Sequence, residues 1–262
     1  MSLPVPQSAC PECQGTGVFP ETVYYPFCDL YGVRYCSCPA GEAAFGTWCQ
    51  SPEVQAALKQ KRAREVEAAL AFSRLPRKWH DKTLASLEGQ EEIKLCVNRY
   101  LDRFPQERKE GRGMYLWSPG SGRGKTHILS AVCREIMDRY AVPCIFLTEE
   151  QIFRKIREAF DDPQVREYDR MRRFRTVPCL FVDDFGATKP TAWKQEVMTG
   201  LLDERLNNAL PTFFTSNYSL ADYQTILAHS LSFARPERVP SRIFEMCRGF
   251  IVEVKGEDWR KK

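Results

Sequence analysis

No apolar run in this 262-residue chain approaches the ~20 residues that a membrane-spanning helix needs. The N-terminus, Met1-Ser-Leu-Pro-Val-Pro6, lacks the charged n-region and the apolar h-region of a secretory leader. These absences argue against an exported or membrane-spanning protein, and the expected location is cytoplasmic, with no membrane partner. There is no internal repeat and no low-complexity tract. Charge of one sign is also lacking: 38 Lys and Arg oppose 34 Asp and Glu, a formal net charge of +4. That permits a nucleic-acid partner without demanding one. Cysteine, by contrast, is abundant, with 11 residues. Without an export signal these read as reduced thiols and a metal site, not a disulfide framework. A hydrophobic content of 43% supports a sizeable core, and the length suits one full α/β domain plus a smaller module.

The cysteines are unevenly placed. Cys10, Cys13, Cys28, Cys36, Cys38 and Cys49 fall in a segment, 1–50, that is rich in Pro, Gly and aromatics and has little helical pattern. Cys96, Cys133, Cys144, Cys179 and Cys247 lie in apolar contexts and read as small core residues. Ser51-Pro52 reads as a helix start, and 52–73 as a helical connector ended by Leu75-Pro76. A loop-rich lead-in (77–92), a helix (91–104) and an exposed turn (107–113) follow. Strand and helix then alternate over 114–117, 125–140, 144–147, 149–160, 179–183, 191–209, 212–216, 219–229, 238–247 and 250–254. That alternation predicts a parallel sheet covered on both faces. The expected divisions are 1–50 (a small cysteine-rich module), 51–74 (helical connector) and 75–262 (an α/β domain).

Trp117-Ser-Pro-Gly-Ser-Gly-Arg-Gly-Lys-Thr126 joins a short apolar strand to an amphipathic helix. Gly120, Gly122 and Gly124, with Ser121 and Arg123 between them, let the backbone wrap a polyphosphate with its N–H groups inward. The helix N-terminus adds partial positive charge. Lys125 reaches the β- and γ-phosphates, and the Thr126 hydroxyl holds Mg²⁺. One position departs from the strict pattern: Pro119 stands where glycine is usual, which bears on loop shape more than on phosphate binding.

Asp183 lies 58 residues after Lys125, at the end of the buried strand that starts at Cys179. Asp183 is expected to support Mg²⁺, and Asp184 to orient or deprotonate the attacking water of ATP hydrolysis. Asn217 ends a further apolar strand, where its amide can bridge the γ-phosphate and that water; an Asn there also simply starts turns. Arg235, Arg238 and Arg242 precede the last strand, either as a solvated face or with one acting as an arginine finger. Cys10-Pro-Glu-Cys13 and Cys36-Ser-Cys38 form two close pairs suited to tetrahedral Zn²⁺, with Cys28 or Cys49 as alternative ligands. The segment 154–175 mixes Arg and Lys with Phe153, Phe160, Tyr168 and Phe174. It fits a single-stranded DNA surface or, equally, an amphipathic helix with its aromatics in the core.

Taken in order, Gly-Lys-Thr-His, Val-Asp-Asp-Phe-Gly, Pro-Thr-Phe-Phe-Thr-Ser-Asn, Ser-Arg-Ile and Gly-Glu-Asp-Trp-Arg resemble AAA+ ATPases of the bacterial helicase-loader group, the DnaC/DnaI type. They also resemble the related IstB-type transposition helper ATPases. The resemblance covers roughly 75–260. It implies a three-layer α/β P-loop core with ATP and Mg²⁺ at subunit interfaces, and no helical lid. It matches Asn217 to the sensor residue and Arg242 to the arginine that acts in trans. It places 75–79 near the adenine. The expected function is ATP-dependent loading of a replicative DNA helicase onto single-stranded DNA by a homo-oligomer. The alternatives are a transposition helper acting with a transposase on duplex DNA, or an ATP-gated binding module with negligible turnover.

Overall fold

The central sheet follows from the alternation of apolar residues along its strands. In the computed structural model, which describes residues 10–87, 89–160, 167–231, 235–256 and 258, the chain divides into two compact units, Met1–Glu67 and Ala68–Lys262.

The first unit holds an antiparallel hairpin, β1 (Val18–Tyr25) and β2 (Leu30–Tyr35), followed by helix α1 (Pro39–Cys49). Tyr25, Tyr35, Phe45 and Trp48 form a mutually contacting ring cluster, with Tyr25 and Trp48 centroids 4.7 Å apart. The sequence pattern missed α1. Its segment shows little helical pattern, yet Gly41 within it is required: a Cβ there would meet the Cys36 carbonyl oxygen at 1.9 Å. Pro39 at the first helical position was the available start signal. Helix α2 (Pro52–Ser73) runs from the first unit into the second, over the span expected of the connector.

The second unit begins with a single 3-10 turn (Arg77–Trp79), then α3 (Glu91–Asp102) and α4 (Phe104–Lys109). The expected exposed turn at 107–113 is therefore partly helical. Glu107 within it is buried, with ion pairs to Arg103 (3.1 Å), one helical turn back, and to Arg112 (3.3 Å). Five parallel strands follow with their crossovers: β3 (Met114–Trp117), α5 (Lys125–Tyr140), β4 (Cys144–Thr148), α6 (Glu149–Phe160), α7 (Glu167–Thr176), β5 (Cys179–Phe185), α8 (Ala192–Asn207), β6 (Thr212–Ser216), α9 (Leu220–Leu231), α10 (Arg238–Met246) and β7 (Ile251–Glu253). The strand order is β4-β5-β6-β3-β7.

Period-two alternation sends neighbouring residues of each strand into two cores. Met114, Leu116, Cys144, Phe146, Cys179, Phe181 and Phe213 face α3 and α5, against Val97, Tyr100, Leu129 and Ile136. Tyr115, Ile145, Leu147, Leu180, Val182 and Phe214 face the opposite layer, against Ile152, Met198, Leu201, Tyr223 and Ile243. The result is a helix–sheet–helix sandwich. Phe153 and Phe174 belong to the second core, 3% and 5% exposed. For these two rings the core alternative wins over a stacking platform for DNA; the side chains of Phe160 and Tyr168 lie outside the described residues. Arg205, fully buried on α8, is satisfied without a carboxylate. Its guanidinium donates to the carbonyls of Phe174 (2.7 Å), Val177 (2.9 Å) and Pro211 (2.8 Å) and to the Thr212 hydroxyl (2.8 Å), tying α7 to the starts of β5 and β6. Among the described residues no helix is long and apolar enough to cross a membrane.

Candidate functional site

Strand order decides which side chains can meet. Because β6 lies between β3 and β5, the segments leaving the C-terminal ends of all three converge. Such convergence is where open α/β sheets bind ligands.

The β3–α5 loop carries positive φ at Gly120 (93°), Gly122 (82°) and Gly124 (88°), which only glycine adopts without strain. Gly122 has a further constraint: a Cβ there would land 1.6 Å from the Asp258 Oδ1. Lys125, the first residue of α5, is buried. Its Nζ donates to the Ser118 hydroxyl (2.8 Å), the Gly120 carbonyl (2.7 Å) and the Asn217 Oδ1 (2.8 Å). The loop residues and Asn217 are thus brought together around one ammonium. Pro119 does not prevent this; glycine at 120 supplies the turn one residue later.

Asp183 and Asp184 are separated by a device the sequence did not disclose. The pairing of β5 with β6 slips between Val182 and Phe185, and Asp184 takes a left-handed φ of 53°. Asp183 stays 5% exposed while Asp184 turns outward and lines the cleft. Thr215 on β6 holds both: its hydroxyl donates to the Asp183 Oδ1 (2.5 Å) and accepts from the Asp184 backbone N–H (2.9 Å). The Thr126 hydroxyl donates to the same Asp183 oxygen at 3.0 Å. Burial pushes the Asp183 carboxyl up to about 6 and the Asp184 charge adds to this, against the two threonine hydrogen bonds. Such a carboxylate is short of positive charge. The donor set fits Mg²⁺ in its chemistry: a hydroxyl and a carboxylate, both hard oxygen donors, stand together beside the glycine loop.

The cleft beside these groups has a volume of about 360 Å³. Ser121 to Thr126, Asp184 and Asn217 line one side, and Trp79, Lys82, Ser86 and Leu87 of the lead-in line the other. The lead-in is fixed to the loop and the start of α5 by three contacts. His127 Nε2 lies 3.0 Å from the Thr83 carbonyl and 3.1 Å from the Ser86 hydroxyl, and the Gln90 amide donates to the Arg123 carbonyl at 3.0 Å. The carbonyl can only accept, so the His127 proton is on Nε2. Lys82, Leu87, Gln90, His127 and Thr215 were not found from sequence. The only signal was the position of His127, directly after Lys125-Thr126.

Arg242 does not join this cleft. Its Nε donates to Asp203 Oδ1 on α8, and Arg238 reaches Oδ2 of the same carboxylate at 3.3 Å.

In the first unit Cys10, Cys13, Cys36 and Cys38 converge, all four sulfurs within 4.8 Å of one another. The Cys10–Cys36 and Cys13–Cys38 separations are 3.8 and 3.6 Å. A disulfide needs about 2.05 Å, whereas the sulfurs of a tetrahedron with Zn–S of about 2.3 Å lie about 3.8 Å apart. The Gly17 N–H points at Cys13 Sγ at 3.3 Å. These residues can hold a zinc ion. Cys28 is elsewhere, its thiol directed at the Tyr25 carbonyl at 3.7 Å, and Cys49 is outside the cluster.

Sheet order, glycine loop, lysine and paired carboxylates define a P-loop NTPase core of AAA+ type. Residues 54–262 match the family described as IstB-like ATP binding protein, and the chain belongs to that family. It is 30% identical to the replicative helicase loader DnaI of Bacillus subtilis (strain 168) over 141 residues, 53% of this chain and 44% of that protein. Likeness to the replicative helicase loader DnaC of Escherichia coli (strain K12) is 21% over 141 residues, 53% of this chain and 55% of that protein. The chain therefore spans about half the length of these curated relatives. A crystal structure of DnaI superposes with a TM-score of 0.56 at 26% identity, over 71% of this chain and 95% of that one.

Proposed function

We propose that this chain is an ATP-hydrolysing replication protein that loads a replicative DNA helicase onto single-stranded DNA. Residues 75–262 would be the motor, 51–74 a helical connector, and 1–50 a zinc-binding module that grips the helicase. The observation that carries ATP hydrolysis is the convergence of Lys125, Thr126, Asp183, Asp184 and Asn217 at the ends of three adjacent strands. What favours a helicase over a transposase as partner is that the relatives above are named as helicase loaders.

Each residue has a task in this reading. Lys125 exchanges its contacts with the Gly120 carbonyl and Asn217 for β- and γ-phosphate oxygens. The loop N–H groups from Gly120 to Thr126 cradle the phosphates. Thr126 and Asp183 would hold Mg²⁺, which would offset phosphate charge. Asp184, turned into the cleft, accepts the proton of the attacking water. Asn217, released by Lys125, orients that water against the γ-phosphate. Arg242 reaches the nucleotide of a neighbouring subunit, so that hydrolysis requires a homo-oligomer on ATP and DNA.

The test is a transfer assay with the helicase of the same host and single-stranded circles. Helicase should be retained on the circles with ATP and this protein, and not with Lys125→Ala. Failure to bind the helicase, together with retention of a transposase on duplex DNA, would move the assignment to the transposition helpers that share the family.

A further inference from the structure

Asp203 stands in the last turn of α8 and meets α10. Its two carboxylate oxygens are divided between two arginines one helical turn apart: Oδ1 takes the Nε of Arg242, and Oδ2 takes an Nη of Arg238. The manner of the first contact matters. A guanidinium has more than one hydrogen-bonding edge, and an edge left open can still pair bidentately with a phosphate. Asp203 holds Arg242 by Nε. Among the described residues neither Nη of Arg242 makes a hydrogen bond, and the side chain is 30% exposed. The Nη edge therefore projects away from the residue that anchors it.

We propose that Asp203 is the positioning residue of Arg242, fixing its guanidinium through Nε so that the Nη edge is presented to the γ-phosphate of a nucleotide bound by another copy of this chain. Arg238, on the other carboxylate oxygen, holds Asp203 in orientation. This rests on the trans-acting role given to Arg242. Without Asp203, the long side chain samples its rotamers, and an Å-scale misplacement of a catalytic group can cost about 10²-fold in rate.

The experiment measures Mg²⁺-ATP hydrolysis and nucleotide affinity for Asp203→Ala, Asp203→Asn, Arg242→Ala and the double variant Asp203→Ala/Arg242→Ala. Asp203→Ala should lower kcat about 10²-fold with affinity unchanged. Asp203→Asn keeps an oxygen that accepts from Nε and should recover most of the rate. The double variant should be no slower than Arg242→Ala, since both changes remove one interaction. Wild-type turnover in Arg242→Ala would remove the trans role itself. A dead Arg242→Ala beside a normal or faster Asp203→Ala would overturn the positioning role alone, and faster turnover would mark Asp203 as a competitor of phosphate. Asp203→Ala slowing the Arg242→Ala background further would show that Asp203 acts on the fold, as would a fall in melting temperature shared by Asp203→Asn.

Discussion

Asp183 and Asp184 are neighbours in sequence yet meet opposite environments, and the cause is backbone geometry. A regular strand would also have sent them to opposite faces, one toward each core. The slip at Val182/Phe185 and the left-handed φ of Asp184 instead bring both to one end of the sheet, one buried on threonines and one facing the cleft. Strained backbone of this kind costs about 1–3 kcal/mol and persists where the surroundings enforce it; here the Thr215 hydroxyl accepts from the strained N–H. Asn tolerates the left-handed region well, so Asp184→Asn should fold normally. It should bind ATP as wild type does and hydrolyse it about 10²–10⁴ times more slowly, the span of a lost general base. A phosphate-release assay with a parallel binding titration checks this, and normal turnover would refute the role. Lys125 gives a complementary expectation. ATP at about 100 times its Kd should add about 2.7 kcal/mol, a rise in melting temperature of roughly 5–10 °C. Lys125→Ala should abolish that rise in a thermal melt. At this scale the sequence revealed the residues whose neighbours in the chain explain them: the glycine loop, its lysine and the two acids. Thr215, Gln90 and the lead-in contacts of His127 stayed hidden because their partners lie 31 to 44 residues away.

Elements read well where one period ran unbroken. The spans of β3, α5 and β6 coincide with those read from the apolar spacing. They failed where close packing or a buried charge outweighed the residue pattern: α1 carries a glycine because the Cys36 carbonyl leaves no room, and Glu107 of α4 is buried between Arg103 and Arg112. The first unit depends instead on a contact between residues distant in sequence. Its hairpin exposes Tyr24, Phe27, Tyr31 and Val33, so little apolar burial holds it together. The four cysteine sulfurs join the knuckle before β1 to the start of α1. Structural zinc contributes about 10–16 kcal/mol of apparent folding energy in small modules. Freshly purified protein should accordingly contain zinc near one ion per chain by metal analysis. Chelation should make the first unit sensitive to protease while the ATP-induced rise in melting temperature is retained. Purified protein without zinc would refute the site.

At the scale of the molecule, sheet order assembles the cleft from one chain but leaves Arg242 outside it, paired to Asp203 on α8. The position of that arginine in the chain, between α9 and β7, was legible; its partner was not, because α8 and α10 meet only in the folded sheet. An arginine outside its own nucleotide cleft can assist hydrolysis in two ways: by moving within its subunit, or by serving a neighbour. Mixing separates them. Arg242→Ala alone should keep ATP affinity and lose hydrolysis by roughly 10³–10⁵, the contribution of an arginine finger. Lys125→Ala should be inactive for want of nucleotide. In a mixed oligomer, an Arg242→Ala subunit offers an intact cleft, and an adjacent Lys125→Ala subunit offers an intact Arg242. Activity should therefore return on titrating one dead protein with the other, reaching at most a fraction of wild type because only interfaces of the right pairing are complete. A dead single variant with no rescue at any ratio would place Arg242 in service of its own cleft. Near-normal turnover in Arg242→Ala would make it a surface ion pair worth under about 1 kcal/mol, and shared catalysis between subunits would have to rest on another residue.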